Sequence, residues 1–600
     1  MEAVIRVLIL VCATLVVALP SCVAGAWAPV KGRIATRWAK DVSPTNVHPE
    51  YPRPMMVRRD WQNLNGVWDF ALSKKADPRP AHMDDKILVP FPAGSPLSGI
   101  GHLVRPNERI WYKRMFTVPK AWKGRRILLN FGAVDWESTV WVNGREVGTH
   151  KGGYDPFTFD ITDALKPFGS QEIVLTAWDP TDQGGVVRGK QHLTPQSIFY
   201  TPSAGIWQTA WLEPVNAAHV ASYKAVPDID KQVLRITVDA PGATADARVE
   251  VIATDGKVVV STATGAPGEE IVLPIRNPKL WSPTSPHLYG LRVSMISRGK
   301  KLDTFSSYLG MRKISVMKDD AGINRLALNN KVLFQFGPLD QGFWPDGVYL
   351  APTDAALRYD LEAAKKFGAN MIRKHIKVEP QRLYYWADKL GVMVWQDMPC
   401  GDDRPELRDQ FDVELRAMVG NLYNHPSIVM WVLFNEAMGQ HDTERLAEMV
   451  RKADPSRLID NASGWSDKKV GDVTDSHIYP DPGVPALEPN RAAVLGEFGG
   501  VGGTYLDHYY TDRGNFAYVP VLDITAATDT YVAMLAKLPG LISKGLSAAV
   551  YTQLTDVERE VNGWMSYDRA VFKINSEVAG DMARRLYGPP LKTVVIVPCA

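Results

Sequence analysis

The stretch TDAALRYDLEAAKKFGANMIRKH, residues 353–375, decides the fold. Its first part reads as a helix opened by a Thr353 cap. The second part, NMIRKH (370–375), reads as a strand that ends on Arg373 and His375. The same alternation continues on both sides of it. Candidate strands are VLFQFGP (332–338), VMVWQDMP (392–399), IVMWVLFNE (428–436), RLIDNAS (457–463), DVTDSHIY (472–479), AVLGEFG (493–499) and SAAVYTQ (547–553). Helical segments such as ATDTYVAMLAKLPGLISKG separate most of them. Eight such units in about 280 residues is the size of a (β/α)8 TIM barrel, here residues 317–596. A doubly wound open sheet is the competitor, but no GxGxxG follows a first strand and the count of eight favours closure.

Upstream the pattern changes to strands alone. Residues 45–214 contain LNGVWDFAL, RILLNFGAV, STVWVNGREVG and GIWQTAWLEP, short runs punctuated by turn chemistry, which argue a β-sandwich of jelly-roll type. Within it Val140–Val147 reads as a hairpin whose tight turn, Asn143-Gly144, supplies positive φ. Residues 215–316 hold a second alternating set, QVLRITVDA to LYGLRVSMI, of a length that suits an immunoglobulin-like sandwich. Residues 1–26 carry one Arg, a continuous apolar run and the small residues Ala24-Gly25-Ala26, the form of a cleaved secretory signal peptide; LPSC, ending at Cys22, is the lipoprotein alternative. Loss of that leader leaves Cys400 and Cys599 of the 4 cysteines, so no disulfide framework is expected. With 68 Lys+Arg against 66 Asp+Glu the net charge is +2, which offers no field for nucleic acid or an anionic membrane.

In a barrel the chemistry sits at the C-terminal ends of the strands. Several ends carry residues that a buried core would not choose: Arg373 and His375, Asp397, Asn435-Glu436, His477 and Tyr479, and Glu497. Their convergence needs a purpose, because each buried polar group needs a partner. Two carboxylates on different strands suit glycoside hydrolysis, one protonating the leaving oxygen and the other attacking or activating water. The apolar strand before Glu436 should raise its pKa and keep it protonated as the acid, while Arg373 should hold Glu497 ionised. Three alternatives compete. Asn435-Glu436 could open a helix, the carboxylates with His375 and His477 could bind a metal, or Arg373 and Glu497 could form a bare ion pair.

NMIRKHIKVEPQRLYYWADKLGVMVWQDMP, then MWVLFNE, then LGEFGG, together resemble glycoside hydrolase family 2, the family of β-galactosidases, β-glucuronidases and β-mannosidases. VDWESTVWVNGREVGTHKGGYDPFTFDIT and SAGIWQTAWLEPV resemble its sugar-binding domain, and LWSPTSPHLYGL its immunoglobulin-like domain. The resemblance implies a retaining exo-β-glycosidase of β-galactoside type without a cofactor, with Glu436 as acid/base and Glu497 as nucleophile. It places Asn435 on the sugar's 2-hydroxyl and Tyr479 on the nucleophile, and it matches Arg373 and His375 to an N-x-x-R-x-H signature. Asp397 and His477 join them as substrate-binding candidates. The β-galactosidase form R-x-S-H-Y-P is altered here to RKHIKVEP, which leaves the exact sugar open; no Asn-x-Lys carboxylate clamp follows strand seven, which counts against a glucuronidase; and the family's strand-eight Trp gives way to Tyr551 and Gln553, so the aglycone side should differ. Other sugars of the family remain alternatives. A non-catalytic secreted carbohydrate-binding protein is the rival from another class. The expected partner is a carbohydrate, with no nucleic acid and no membrane after leader removal; association into a homo-oligomer stays open.

Overall fold

The computed structural model describes residues 27–587, so the leader and Cys599 lie outside the described residues. Eight parallel strands form the barrel: β1 Gln335–Asp340, β2 Met371–Lys374, β3 Met393–Asp397, β4 Ile428–Val432, β5 Leu458–Asp460, β6 Val473–His477, β7 Ala492–Gly499 and β8 Leu546–Thr552. Their order is β5-β4-β3-β2-β1-β8-β7-β6. The ladder is open only between β5 and β6. There Asp472 spans the gap, its N–H donating to Ile459 O at 2.8 Å and its carboxylate accepting from Ile459 N at 2.7 Å. The sheet is therefore nearly closed, and the open doubly wound alternative falls away.

Helices α1 Asp354–Lys366, α2 Gln381–Leu390, α3 Arg408–Leu422 and α4 Thr443–Ala453 follow the first four strands. Thr353 caps α1 as expected, its hydroxyl accepting from Ala356 N at 3.2 Å, a contact worth about 1 kcal/mol. Extended loops, 461–472 and 478–491, replace helices after β5 and β6. The first strand starts later than its sequence suggests, because Lys331–Val332 pairs instead with Asn324–Leu328. That small sheet closes the N-terminal end of the barrel: Ile314, Leu326 and Leu328 pack on Leu339, Met371, Met393 and Met430. Plugging one end with apolar side chains leaves the other as the polar mouth.

The first sandwich pairs a six-stranded sheet with a four-stranded one around Trp68, Tyr112, Phe131 and Leu175. Glu137–Val142 and Arg145–Lys151 form the expected hairpin, with Asn143 at φ 51° and Gly144 at φ 82°. The second sandwich has three and four strands around Leu234, Val251, Ile271 and Val293. It is tied to the barrel by Tyr308, whose hydroxyl donates to Asp388 at 2.7 Å, and by Trp281 Nε1, which donates to Asp388 O at 2.8 Å.

A strap from the first sandwich, residues 181–204, crosses to the barrel mouth. The N–H groups of Arg188 and Gly189 both donate to Cys400 O at 2.9 Å, and Arg188 pairs with Asp402 at 3.0 Å. Farther along the strap, Tyr200 donates to Glu560 and Thr201 N to Glu558 at 2.9 Å. Gly189 must be glycine here: its φ is +63°, and a Cβ would lie 2.5 Å from Ile376 O.

Candidate active site

Arg373, fully buried on β2, organises the mouth. Its Nη2 donates to Asp397 at 2.9 Å and to Asn435 Oδ1 at 2.7 Å, and its Nη1 to Gly496 O at 3.2 Å and Glu497 Oε1 at 3.3 Å. Burial works against its charge, yet the carboxylates of Asp397 and Glu497 push its pKa above the usual guanidinium value, so it stays cationic. Asp397 also accepts from Ile376 N at 3.3 Å and lies beneath the guanidinium. The arginine is thus the hub that joins β2, β3, β4 and β7.

Two polar atoms in this shell are buried without a hydrogen-bond partner, Asn435 Nδ2 and His375 Nδ1. Burial, reinforced by Arg373, holds the His375 pKa well below the imidazole range, so its ring is neutral. The amide of Asn435 is fixed through its oxygen by Arg373, which leaves its NH2 to meet a ligand hydroxyl. Both carboxylates stand beside these groups. Glu497 accepts from Tyr479 OH at 2.7 Å, and Tyr479 stacks on Tyr518 with centroids 4.0 Å apart.

Glu436 does not open a helix. β4 ends at Val432, and the chain continues extended, with Leu433 N on Asp460 O at 2.9 Å and Glu436 N on Ser463 O at 3.0 Å. Glu436 and Ala437 then take φ of 52° and 64°, left-handed values outside the α-helical region, and α4 begins only at Thr443. Left-handed φ at non-glycine residues costs energy and gathers at functional sites. Here it turns the Glu436 carboxyl into the mouth.

His477 lies between the two carboxylates. Its Nδ1 is 2.8 Å from Glu436 Oε1 and 3.5 Å from Glu497 Oε2. One oxygen from each carboxylate and one ring nitrogen all fall within 4.8 Å of one another. On the other side, His477 Nε2 is 2.8 Å from Ser463 Oγ, which donates to Asp475 at 2.6 Å. A hydroxyl has one hydrogen; since Ser463 gives it to Asp475, His477 Nε2 carries the hydrogen of its own contact. The remaining proton therefore sits between His477 Nδ1 and Glu436.

The expected rise in the Glu436 pKa is corrected by this contact. Burial does push the carboxyl up, but the hydrogen bond and charge of His477, with Lys190 and Arg373 behind them, lower it overall. The apolar strand before Glu436 carries no information about a histidine that arrives from β6. Reciprocally, burial lowers His477 while Glu497 and Glu436 raise it more, and its pKa ends above the ordinary imidazole value.

Four contributors escaped the sequence reading: Ser463, Lys190, Tyr518 and Trp465. Ser463 closes the run RLIDNAS and was legible only as a strand end. Lys190 comes from the strap, is 5% exposed, and its ammonium has no hydrogen-bond or ion-pair partner among the described residues. Asp179, just before the strap, and Asp182, within it, hold the local backbone: Asp179 accepts from Thr181 N at 2.7 Å and Asp182 pairs with His192 at 2.8 Å. Tyr551 and Gln553 are buried.

Comparison with known proteins follows the same three-part division. The glycosyl hydrolases family 2 sugar binding domain matches residues 99–200, the glycosyl hydrolases family 2 domain residues 218–312, and the family 2 TIM barrel domain residues 351–493, together more than half of the chain. A β-galactosidase of Thermoanaerobacter pseudethanolicus is 29% identical over 426 residues, 67% of this chain and 54% of that protein. A β-glucuronidase of Paenibacillus borealis is 26% identical over 456 residues, 68% of this chain and 74% of that protein. The chain thus spans about half the length of the first relative and three quarters of the second. Among solved structures, the β-D-glucuronidase of Dictyoglomus thermophilum superposes with a TM-score of 0.71 at 19% identity, covering 89% of this chain and 98% of that one. The Ruminococcus gnavus β-glucuronidase in complex with D-glucuronic acid gives 0.72 at 18%, covering 90% and 100%.

Proposed function

Because this chain belongs to glycosyl hydrolase family 2, we propose that it is an exported, retaining exo-β-glycosidase in which Glu497 is the nucleophile and Glu436 the acid/base. One observation carries the reading: one oxygen of Glu436 and one of Glu497 lie no more than 4.8 Å apart. That separation suits direct attack on the anomeric carbon, where an inverting enzyme needs about 6.5 to 9.5 Å to seat a water between carboxylates. In the first step Glu497 forms a bond to C1 as the bond from C1 to the leaving oxygen breaks, and Glu436 gives that oxygen its proton. In the second step water attacks C1, Glu436 takes the water's proton, and Glu497 departs as carboxylate.

The lowered Glu436 pKa fits this cycle once the proton is assigned to the Glu436–His477 pair. Substrate expels water from the mouth, which strengthens the burial contribution and moves the proton toward the carboxyl oxygen. Asn435 Nδ2 is the donor for the 2-hydroxyl, and Tyr479 steadies Glu497. The strap, anchored at Cys400 and Asp402, walls one side of the mouth and supports cleavage from a chain end.

For the glycone, β-galactosides are the first expectation, and β-glucuronides are at least as well supported, since both names occur among the relatives. The ammonium of Lys190, which has no ion-pair partner among the described residues, favours the uronide, because it supplies a cation in place of the missing Asn-x-Lys clamp. A panel of p-nitrophenyl β-glycosides, followed by proton NMR of the first-formed product, tests the proposal. The first-formed product from a β-glycoside should be the β-anomer. Early α-anomer would overturn the retaining mechanism, and no turnover of any glycoside would favour the carbohydrate-binding rival.

A further inference from the structure

Trp465 lies in the loop after β5 and is 67% exposed, against a background in which most tryptophans of the described chain are core. It is not loose. Ser463, two residues before it, donates its N–H to Phe434 O at 2.9 Å and accepts from Glu436 N at 3.0 Å. Ser466, one residue after it, accepts from Gln440 Nε2 at 3.0 Å. Both flanks are thereby tied to the segment that carries Glu436. Gly464 between them has φ +105°, and a Cβ there would stand 3.4 Å from His477 and 3.5 Å from Glu436 Cγ, so the backbone runs directly against the acid/base pair. The Trp465 ring meets His477 at 78° with centroids 5.7 Å apart, an arrangement that leaves much of the indole to solvent.

An acid/base residue protonates the leaving oxygen, so the departing group must lie on its side of the scissile bond. We propose that Trp465 is the platform of the leaving-group subsite and takes the pyranose ring of a departing sugar on its exposed face. This rests on the assignment of Glu436 as acid/base. The apolar face of a pyranose and the flat indole exclude water from each other, and an anchored ring has little entropy left to lose. The strand-eight position, where this chain has Tyr551, is buried and offers no platform on its side. Trp465 supplies one from β5 instead.

The test compares two substrates with the same glycone, taken from the glycoside panel: a β-linked disaccharide and the β-glycosyl fluoride, whose leaving group has no ring. In Trp465→Ala, kcat/KM for the disaccharide should fall about tenfold while the fluoride changes by less than about twofold. Transfer of the glycosyl group to added glucose, measured against release to water from the fluoride, should fall to a similar extent. Trp465→Phe should recover most of both losses. Equal losses on the two substrates, or no loss on either, would overturn the platform. Wild-type enzyme inactive on both would instead strike at the glycosidase reading itself.

Discussion

At the scale of single residues, the least expected feature is that the acid carboxyl is held down, not up. His477 shares one proton with Glu436, and Ser463 fixes which ring nitrogen faces it. The wild-type basic limb of kcat/KM should therefore report loss of the pair's proton, which the raised His477 holds above the ordinary imidazole value. In His477→Phe the proton has only the carboxyl to sit on. The basic limb should move down by about one to two pH units, with turnover near pH 5 less affected than turnover at pH 7. An unmoved limb would mean that His477 does not share the proton. The sequence made Glu436, Glu497 and His477 visible as strand ends, but their mutual charges depend on which strands face each other across the mouth.

At the scale of elements, buried ion pairs stand beside the apolar packing of the sandwiches. Glu213, on the strand Ala210–Val215, accepts from Arg53 at 2.8 Å, Arg58 at 2.8 Å, Tyr51 at 2.5 Å and Trp211 at 2.7 Å. Burial alone would raise it, but Arg53 and Arg58 depress it to about 2. A depressed carboxyl stabilises the fold above its unfolded pKa of about 4.5 and loses that contribution as pH falls toward 2. Glu213→Gln should cost about 3 kcal/mol at neutral pH, and thermal melting of mutant and wild type should converge between pH 4.5 and 2.5. A gap that stays constant across that range would assign the effect to packing. The turn Asn143-Gly144 and the Thr353 cap were legible because their chemistry is local. The start of β1 was not, because Lys331–Val332 is claimed by a strand whose position only the tertiary fold sets.

At the scale of the whole molecule, the mouth is built by two parts of the chain. The barrel supplies both carboxylates and the Arg373 hub, and the first sandwich supplies the strap with Lys190. Gly189→Val would drive a side chain into Ile376 O and lift the strap, so kcat/KM should fall about a hundredfold while the melting temperature drops only slightly. Gly268→Val, at a positive-φ turn with nothing within 4 Å, is the control for backbone strain alone and should leave activity unchanged. Three-part order was readable from the switch between period-two strands and helix–strand alternation. The strap's reach was not, since nothing in GGVVRGKQ marks where a loop 200 residues upstream will dock. The central claim is that Glu497 forms a covalent bond to the sugar while Glu436 manages the proton. Incubation with 2-deoxy-2-fluoro-β-galactosyl and β-glucuronyl fluorides, followed by peptide mass mapping, tests it directly: the fluorine at C2 slows breakdown, and the fluoride leaving group needs no acid. One glycosyl adduct on the peptide containing Glu497 is the result this account predicts, and an adduct on Glu436, or turnover of a β-glycoside with no adduct on either glutamate, would contradict it.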